Sequence, residues 1–566
     1  MRRKAAKRRP AEVLKKDDPF RSSSIPAVIT GCNRAILWTE IGVCLTVTLL
    51  AVVFHIVHLR HAGALWRDET QMVNISQMPT FADVWKWIEI DTFPLGWPMT
   101  VRAWTAIGWG ASDIGLHMLG LVVGLSIIAM IWWSVRQFDG GLPLVAIALF
   151  ALNPTVFVYG DSLRGYGLGV LTILFMLGAV WRVVREPTPK RIGLGLVAAV
   201  LAVQCMYFNA VLLLALGAGG IAVSLRRRDW KPGVAVIGIG MVAACSVTPF
   251  YFGPLTRQFQ WYTMIQAPAG VPWLFGQFKA GVTSYGDFMI WVWLGLFAIS
   301  LMACGYRLMK NDANEPSGQK DAAIFLAVIL VLGPLFYFAF IYHSRFPSRP
   351  WYYLGLLAFL AVACDCSLQL LVGANRIGRW LRIAGVVIIA IAVTPGAWQG
   401  AYGRLTNVDL IAHSLEEIAG PDDMILVTPW WAGVTFTRYY RGVAPWTTLP
   451  NLPDLWVHRF DEEMQRMAEE EPIRPTLEKI AKTLSSGHRL YIVGGLAFLS
   501  PGEKPAYLPP IPRGPMSEAA YMEVWSRQTA YLLQTHALRL SLVPVATPGP
   551  VCPLENMNLL QIEGWH

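Results

Sequence analysis

Charge is scarce in this chain: only 15% of its 566 residues are Asp, Glu, Lys or Arg, against 54% hydrophobic, and the mean hydropathy is +0.44. A soluble globular domain carries roughly a quarter of its residues charged, so this composition excludes an ordinary soluble enzyme. Cysteine is also sparse where it would matter. Of the eight, Cys44, Cys205, Cys245, Cys304, Cys364 and Cys366 fall in apolar runs, Cys32 lies just before the first run, and Cys552 alone falls in the polar C-terminal part. One thiol cannot build a disulfide framework, and no paired CxxC offers a metal site. The chain lacks a Walker loop, a dinucleotide GxGxxG and an HExxH, which disfavours a nucleotide-sugar enzyme and a zinc hydrolase. It has no internal repeat of fixed period.

What it does have is long apolar runs, recurring from Ile36 to about Trp398. Read against a bilayer thickness of roughly 20 helical residues, they predict about eleven transmembrane helices, near 36–59, 113–134, 142–159, 165–184, 191–207, 210–224, 232–252, 287–306, 321–343, 351–372 and 383–398. The basic tail "MRRKAAKRRPAEVLKK" and the clusters "RVVREPTPKR", "RRRDWK" and "NRIGRWLR" each flank an apolar run. The bias of Lys and Arg toward the cytoplasmic side accounts for most of the net charge of +10. Spans separate these clusters, so they cannot form one nucleic-acid groove. The expected organisation is a cytoplasmic basic tail (1–33), a transmembrane domain (34–398) with an outer loop at 60–112, and an extracytoplasmic α/β domain (399–566), in a multi-pass protein of the plasma (inner) membrane. The α/β reading rests on "LEEIAGPDDMILV" and "LEKIAKTLSSGHRLYIVGG", each of which reads helix, turn, strand. In that domain His413, His458 and His488 read as surface or packing residues.

With this topology the polar chemistry gathers at the outer face. In the first outer loop "FADVWKWIEI" has the spacing of a short interfacial helix, and "DTFPLGWPMTVRAWTAIGW" that of a surface-lying or re-entrant one. Asp68 and Glu69, in "HAGALWRDETQMVN", stand at the lip of the membrane. Carboxylates there are often merely solvated, but beside a lipid-borne substrate they can accept a proton from an attacking hydroxyl or hold a divalent cation. Arg164 in "DSLRGYG" and Arg345 and Arg349 in "HSRFPSRPWYY" stand next to helix starts, where guanidinium groups suit a phosphate, with lipid-headgroup anchoring as the alternative. Lys279 joins them as a donor-phosphate candidate. Trp66, Asp161, Tyr166, His343 and Tyr352 are expected to face substrate. Acids for base chemistry and cations for a phosphate at one rim point to transfer from a lipid phosphate. A multi-span transporter or lipid flippase is the alternative, with Asp365 in a late span as its candidate pathway residue.

The order "WRDE", "DTFPL", "NPTVFVYGDSLRGYGLGVL" and "PSRPWYYLGLLAFLAVACD" resembles the bacterial members of the dolichyl-phosphate-mannose protein mannosyltransferase family. These are GT-C glycosyltransferases, a class that includes the lipid A aminoarabinose transferase. The likeness covers the membrane half and extends more loosely into "IAGPDDMILVTPWWAGVTFTRYYRG". It implies a GT-C type fold and transfer of a sugar from a polyprenyl-phosphate donor to a hydroxyl of a glycan, lipid or protein acceptor, by inversion. It implies further that Asp68 is the catalytic acid, with Glu69 orienting it or sharing a cation. Arg164 with Tyr166 matches the family's Arg-x-Tyr, and Arg349 with Tyr352 its late Arg-Tyr element. Two departures stand out: "TFPL" replaces a His-Pro-Pro-Leu, and Asp161 precedes Arg164 by one place more than usual. No cofactor is implied beyond a possible divalent cation.

Overall fold

The computed structural model describes residues 31–91, 93–138, 141–265, 269–310, 317–345, 347–373 and 375–566. Of the expected basic tail, residues 1–30 lie outside the described residues. The chain is a polytopic helical membrane protein carrying a C-terminal α/β domain. Among the described residues nine helices are long and apolar enough to cross a membrane. Tyr166–Arg185 and Pro350–Val372 are buried over most of their length, whereas Trp230–Gln260, Met289–Met309 and Arg376–Ala401 expose most of theirs. Large side chains such as Trp38, Leu49, Met241, Trp291 and Ile391 stand exposed on these outer helices. That much exposed apolar surface is compatible with lipid, not with water.

Two of the eleven expected spans fall short of that standard. Pro189–Cys205 is a helix of 17 residues. The segment expected at 142–159 is broken: Leu144–Ala146 runs into a wide turn at Ile147–Ala151, and Val156–Gly160 resumes after Asn153 and Pro154. The break is tolerated because the segment is buried inside protein, where side chains meet its freed backbone groups. Asn153 accepts from the Thr155 N–H and donates to the Gly281 carbonyl. Asp365 caps the start of this segment, accepting from the N–H groups of Val145 and Ala146 at 3.0 and 2.9 Å, and pairs with Arg382 at 2.6 Å. The residue expected to mark a transport pathway is therefore engaged in holding a broken helix.

Helix α1 (Gly31–His61) delivers the chain to the first outer loop. There α2 (Arg67–Ser76), α3 (Phe81–Trp87) and α4 (Gly96–Trp104) form a layer before α5 (Asp113–Arg136) returns. Helix α3 buries Val84 while Phe81, one turn earlier on the same apolar face, stays exposed, and Thr80 caps it by accepting from the Asp83 N–H at 3.1 Å. The expected surface helix is α4, extended by a wide turn to Trp109. Arg102 on α4 donates to the carbonyls of Ser76, Met78 and Pro79 and so secures the C-terminal end of α2.

The C-terminal domain holds a mixed five-stranded sheet of order β2-β1-β3-β5-β4, with β1 (Met424–Thr428), β2 (Trp446–Thr448), β3 (Leu490–Gly494), β4 (Ala537–Val543) and β5 (Leu559–Trp565). β1 runs parallel to β2 and β3, and β5 antiparallel to β3 and β4. Both central strands are buried on both faces. Ile425, Val427, Tyr491 and Val493 pack with the helix Val408–Ile418 on one side, and Leu426, Leu490 and Ile492 with the helix Arg474–Ser485 on the other.

Candidate active site

α2 sits where the membrane half meets the C-terminal domain, and that domain grips it at several points. The Arg67 N–H donates to Glu555 at 3.2 Å, the Leu65 N–H to the Tyr439 hydroxyl at 2.7 Å and Asn74 to the Trp456 carbonyl at 2.6 Å. Gln71 accepts from the His458 N–H at 2.7 Å. Tyr439 and Arg438 also hold Asp113 at the start of α5, each at 2.6 Å. The N-terminal turn of α2 carries Asp68 and Glu69, where the aligned N–H groups favour negative charge.

The two neighbouring acids part company in space. Glu69 is fully buried and turns back into the protein, one oxygen accepting from the Leu163 N–H at 2.7 Å and the other from the Trp66 N–H at 3.2 Å. It ties α2 to the loop that carries Arg164. Burial pushes its carboxyl up to about 7, although both N–H bonds oppose the shift. Asp68 instead lines a cavity of about 390 Å³. Burial acts to raise its carboxyl as well, but Arg164 and Arg67 outweigh it and hold Asp68 below its ordinary value, so it is ionised at neutral pH. Arg67 Nε lies 3.5 Å from Asp68 and His458 Nε2 3.9 Å away. Because Glu69 spends both oxygens on backbone donors, the pair does not present two carboxylates to one cation. Among the described residues no group of three or more His, Cys, Asp or Glu could hold a metal ion.

The cavity is walled by both halves of the chain. From the membrane half come Trp66, Asp68, Arg164, Arg349, Trp351 and Tyr352; from the outer domain come Trp431, His458, Phe460 and Glu518. Arg164 is 5% exposed, spans 2.6 Å to Asp91, touches the Asp68 carbonyl at 3.3 Å and lies over the Phe93 ring. Its charge is thus already matched, while its buried Nε has no partner among the described residues. Arg349 lines the same cavity and forms no ion pair among the described residues, so it is the better placed cation for an incoming anion. The indole N–H groups of Trp66 and Trp431, both lining the cavity, likewise lack acceptors. Buried donors without partners are few in folded proteins, and their gathering around one cavity marks a place for a ligand.

Other expected site residues fall elsewhere. Tyr166 packs behind the wall, its ring against Phe93 at 4.9 Å and Tyr352 at 5.6 Å. Asp161 is buried and bonded to His55 at 2.6 Å, so it does not face the cavity. Arg345, His343 and Lys279 are exposed and outside the cavity wall. Conversely, His458 is a wall residue rather than a packing one: burial, helped by Arg67 and Arg164 and opposed by Asp68, pushes its imidazole down to about 3, leaving it neutral beside the carboxylate. Asp91, the partner of Arg164, and Glu518 also went unassigned from sequence. Asp91 stands in the quoted "DTFPL", a local signal that was available; Glu518 and His458 carry none.

No family model matches the sequence, and no curated protein matches it. Solved structures do. The Archaeoglobus fulgidus oligosaccharyltransferase in its apo form superposes with a TM-score of 0.50 at 11% identity, over 90% of this chain and 75% of that one. The same enzyme in complex with an inhibitory peptide and a dolichol-phosphate gives 0.48 at 11%, over 89% and 79%. ArnT from Cupriavidus metallidurans bound to undecaprenyl phosphate gives 0.47 at 13%, over 94% and 98%. At such identities the likeness is one of fold alone.

Proposed function

We propose that this chain is a membrane glycosyltransferase that moves a sugar from a polyprenyl phosphate to an acceptor hydroxyl at the outer face of the plasma membrane. The observation that carries this reading is the cavity in which an ionised Asp68 faces Arg349 and the unpartnered donors of Arg164 and Trp66. A base and an anion-binding group lining one space are what a displacement at an anomeric carbon requires. Asp68 takes the proton of the attacking hydroxyl as the carbon gains oxocarbenium character, and the lipid phosphate leaves toward Arg349. A single displacement of this kind inverts the anomeric centre. Glu69 positions Asp68 by fixing the first turn of α2. The basic clusters at the opposite ends of the spans support an orientation with the N-terminus cytoplasmic and the α/β domain outside. No observation favours transport, since Asp365 is fully engaged by Arg382 and the backbone of 145–146.

The test is transfer of radiolabelled sugar from polyprenyl-phosphate donors by the purified full-length protein in nanodiscs, together with binding of undecaprenyl phosphate. A protein that binds the lipid phosphate and loses transfer on Asp68→Asn supports the reading; one that neither binds it nor transfers sugar refutes it.

A further inference from the structure

The outer-domain wall of the cavity has chemistry that the displacement does not use. Glu518 begins the helix Glu518–His536 and lines the cavity beside Ser517, Trp431 and Phe460. Behind it stands Glu463, 0% exposed, with neither carboxyl oxygen hydrogen-bonded among the described residues. Burial pushes Glu518 up to about 7, against Arg67 and the Trp430 N–H, and burial with Glu518 beside it pushes Glu463 well above the carboxylate range. The Trp430 N–H favours both anions without closing a regular hydrogen bond on Glu463, and the Trp431 N–H has no acceptor at all. A buried carboxyl without a partner costs folding free energy that an apolar side chain would not. Glu518, the member of the pair at the cavity wall, is the one a ligand can reach.

The mixture of groups selects the ligand's class. A carboxyl in the cavity wall, with a second buried behind it, disfavours an anion. Arg67, stacked 5.5 Å over Trp431 and acting on Glu518, opposes a second cation. What suits acceptor oxygens, indole and hydroxyl donors and aromatic faces together is a neutral polyol, whose hydroxyls both donate and accept and whose C–H face stacks on an aromatic ring. We infer that this wall is an acceptor subsite for a saccharide, Glu518 receiving a ring hydroxyl with Glu463 buried behind it, and Trp431 and Phe460 carrying its apolar face. This rests on the glycosyltransferase reading above, and it narrows the acceptor to a glycan.

Saturation-transfer NMR on the full-length protein tests it, with methyl glycosides of glucose, mannose, galactose and arabinose as probes, a serine- and threonine-containing peptide as the rival, and undecaprenyl phosphate as the control. At least one glycoside is expected to bind, with affinity weakened roughly tenfold or more by Glu518→Gln and by Trp431→Ala, while undecaprenyl phosphate binds both variants as it binds the parent. Glycoside binding that both substitutions leave unchanged, no glycoside binding at all, or Glu518-dependent binding of the peptide alone overturns the inference. Failure of the parent to bind undecaprenyl phosphate strikes instead at the proposed function, so the two can fail separately.

Discussion

Replacing Asp68 by Asn keeps the side chain's size and removes its capacity to take a proton. The folded state should hardly notice. The side chain is 23% exposed and its nearest ionic contact, with Arg67, is 3.5 Å long, so the stability lost is under about 1 kcal/mol. Turnover should notice strongly: loss of a positioned general base lowers it roughly a hundredfold or more, equivalent to about 2.7 kcal/mol in the barrier. Glu69→Gln, one residue away, should behave in the opposite sense. Both Glu69 oxygens accept backbone N–H bonds, from Leu163 and Trp66, and an amide must turn its NH2 toward one of those donors. Two donors facing each other in a fully buried position cost about 1–3 kcal/mol of stability, with any loss of turnover following from the loosened turn. The assay pairs initial rates of sugar transfer with thermal unfolding of both variants in nanodiscs. Near-normal transfer by Asp68→Asn, or an unchanged melting temperature for Glu69→Gln, refutes the division of labour between the two acids.

Three further outcomes follow from the geometry. Arg349→Ala should weaken binding of the lipid phosphate while leaving the melting temperature unchanged, whereas Arg164→Ala removes the cation that buried Asp91 meets at 2.6 Å and should cost about 3–5 kcal/mol of stability; equal stability of the two variants contradicts this. Burial pushes Glu69 and Glu555 from an ordinary 4.5 up to about 7, so the folded state holds protons that the unfolded chain has released. Their contribution is complete below about pH 4.5 and is lost as pH rises through about 7; melting measured from pH 5 to 8 should therefore fall with pH, less steeply for Glu555→Gln, and a rise over that range refutes the assignment. Finally, cysteines introduced at the exposed Arg228 and Lys504 should react with an impermeant thiol reagent from opposite sides of the membrane. Labelling of both from one side refutes the orientation.

Composition and periodicity alone determined the class of this molecule. Runs of about twenty apolar residues with few charges have no stable home outside a bilayer, and the helix-turn-strand alternation after Trp398 predicted the sheet that β1 and β3 build. Motif order singled out Asp68 and Arg164. What the sequence could not carry is which partner each side chain meets. Asp68 and Glu69 are adjacent in the chain, yet one lines the cavity and the other bonds Leu163, 94 residues away. Arg164 was assigned to a phosphate, but Asp91, 73 residues away, claims much of its charge and leaves Arg349 as the open cation. His458, read as packing, reaches Asp68 because its N–H is bonded to Gln71 across 387 residues. A transmembrane helix declares itself by local transfer free energy, which each residue contributes whatever its neighbours. A site is decided by contacts between distant segments, and only the folding of the outer domain onto α2 brings those segments together.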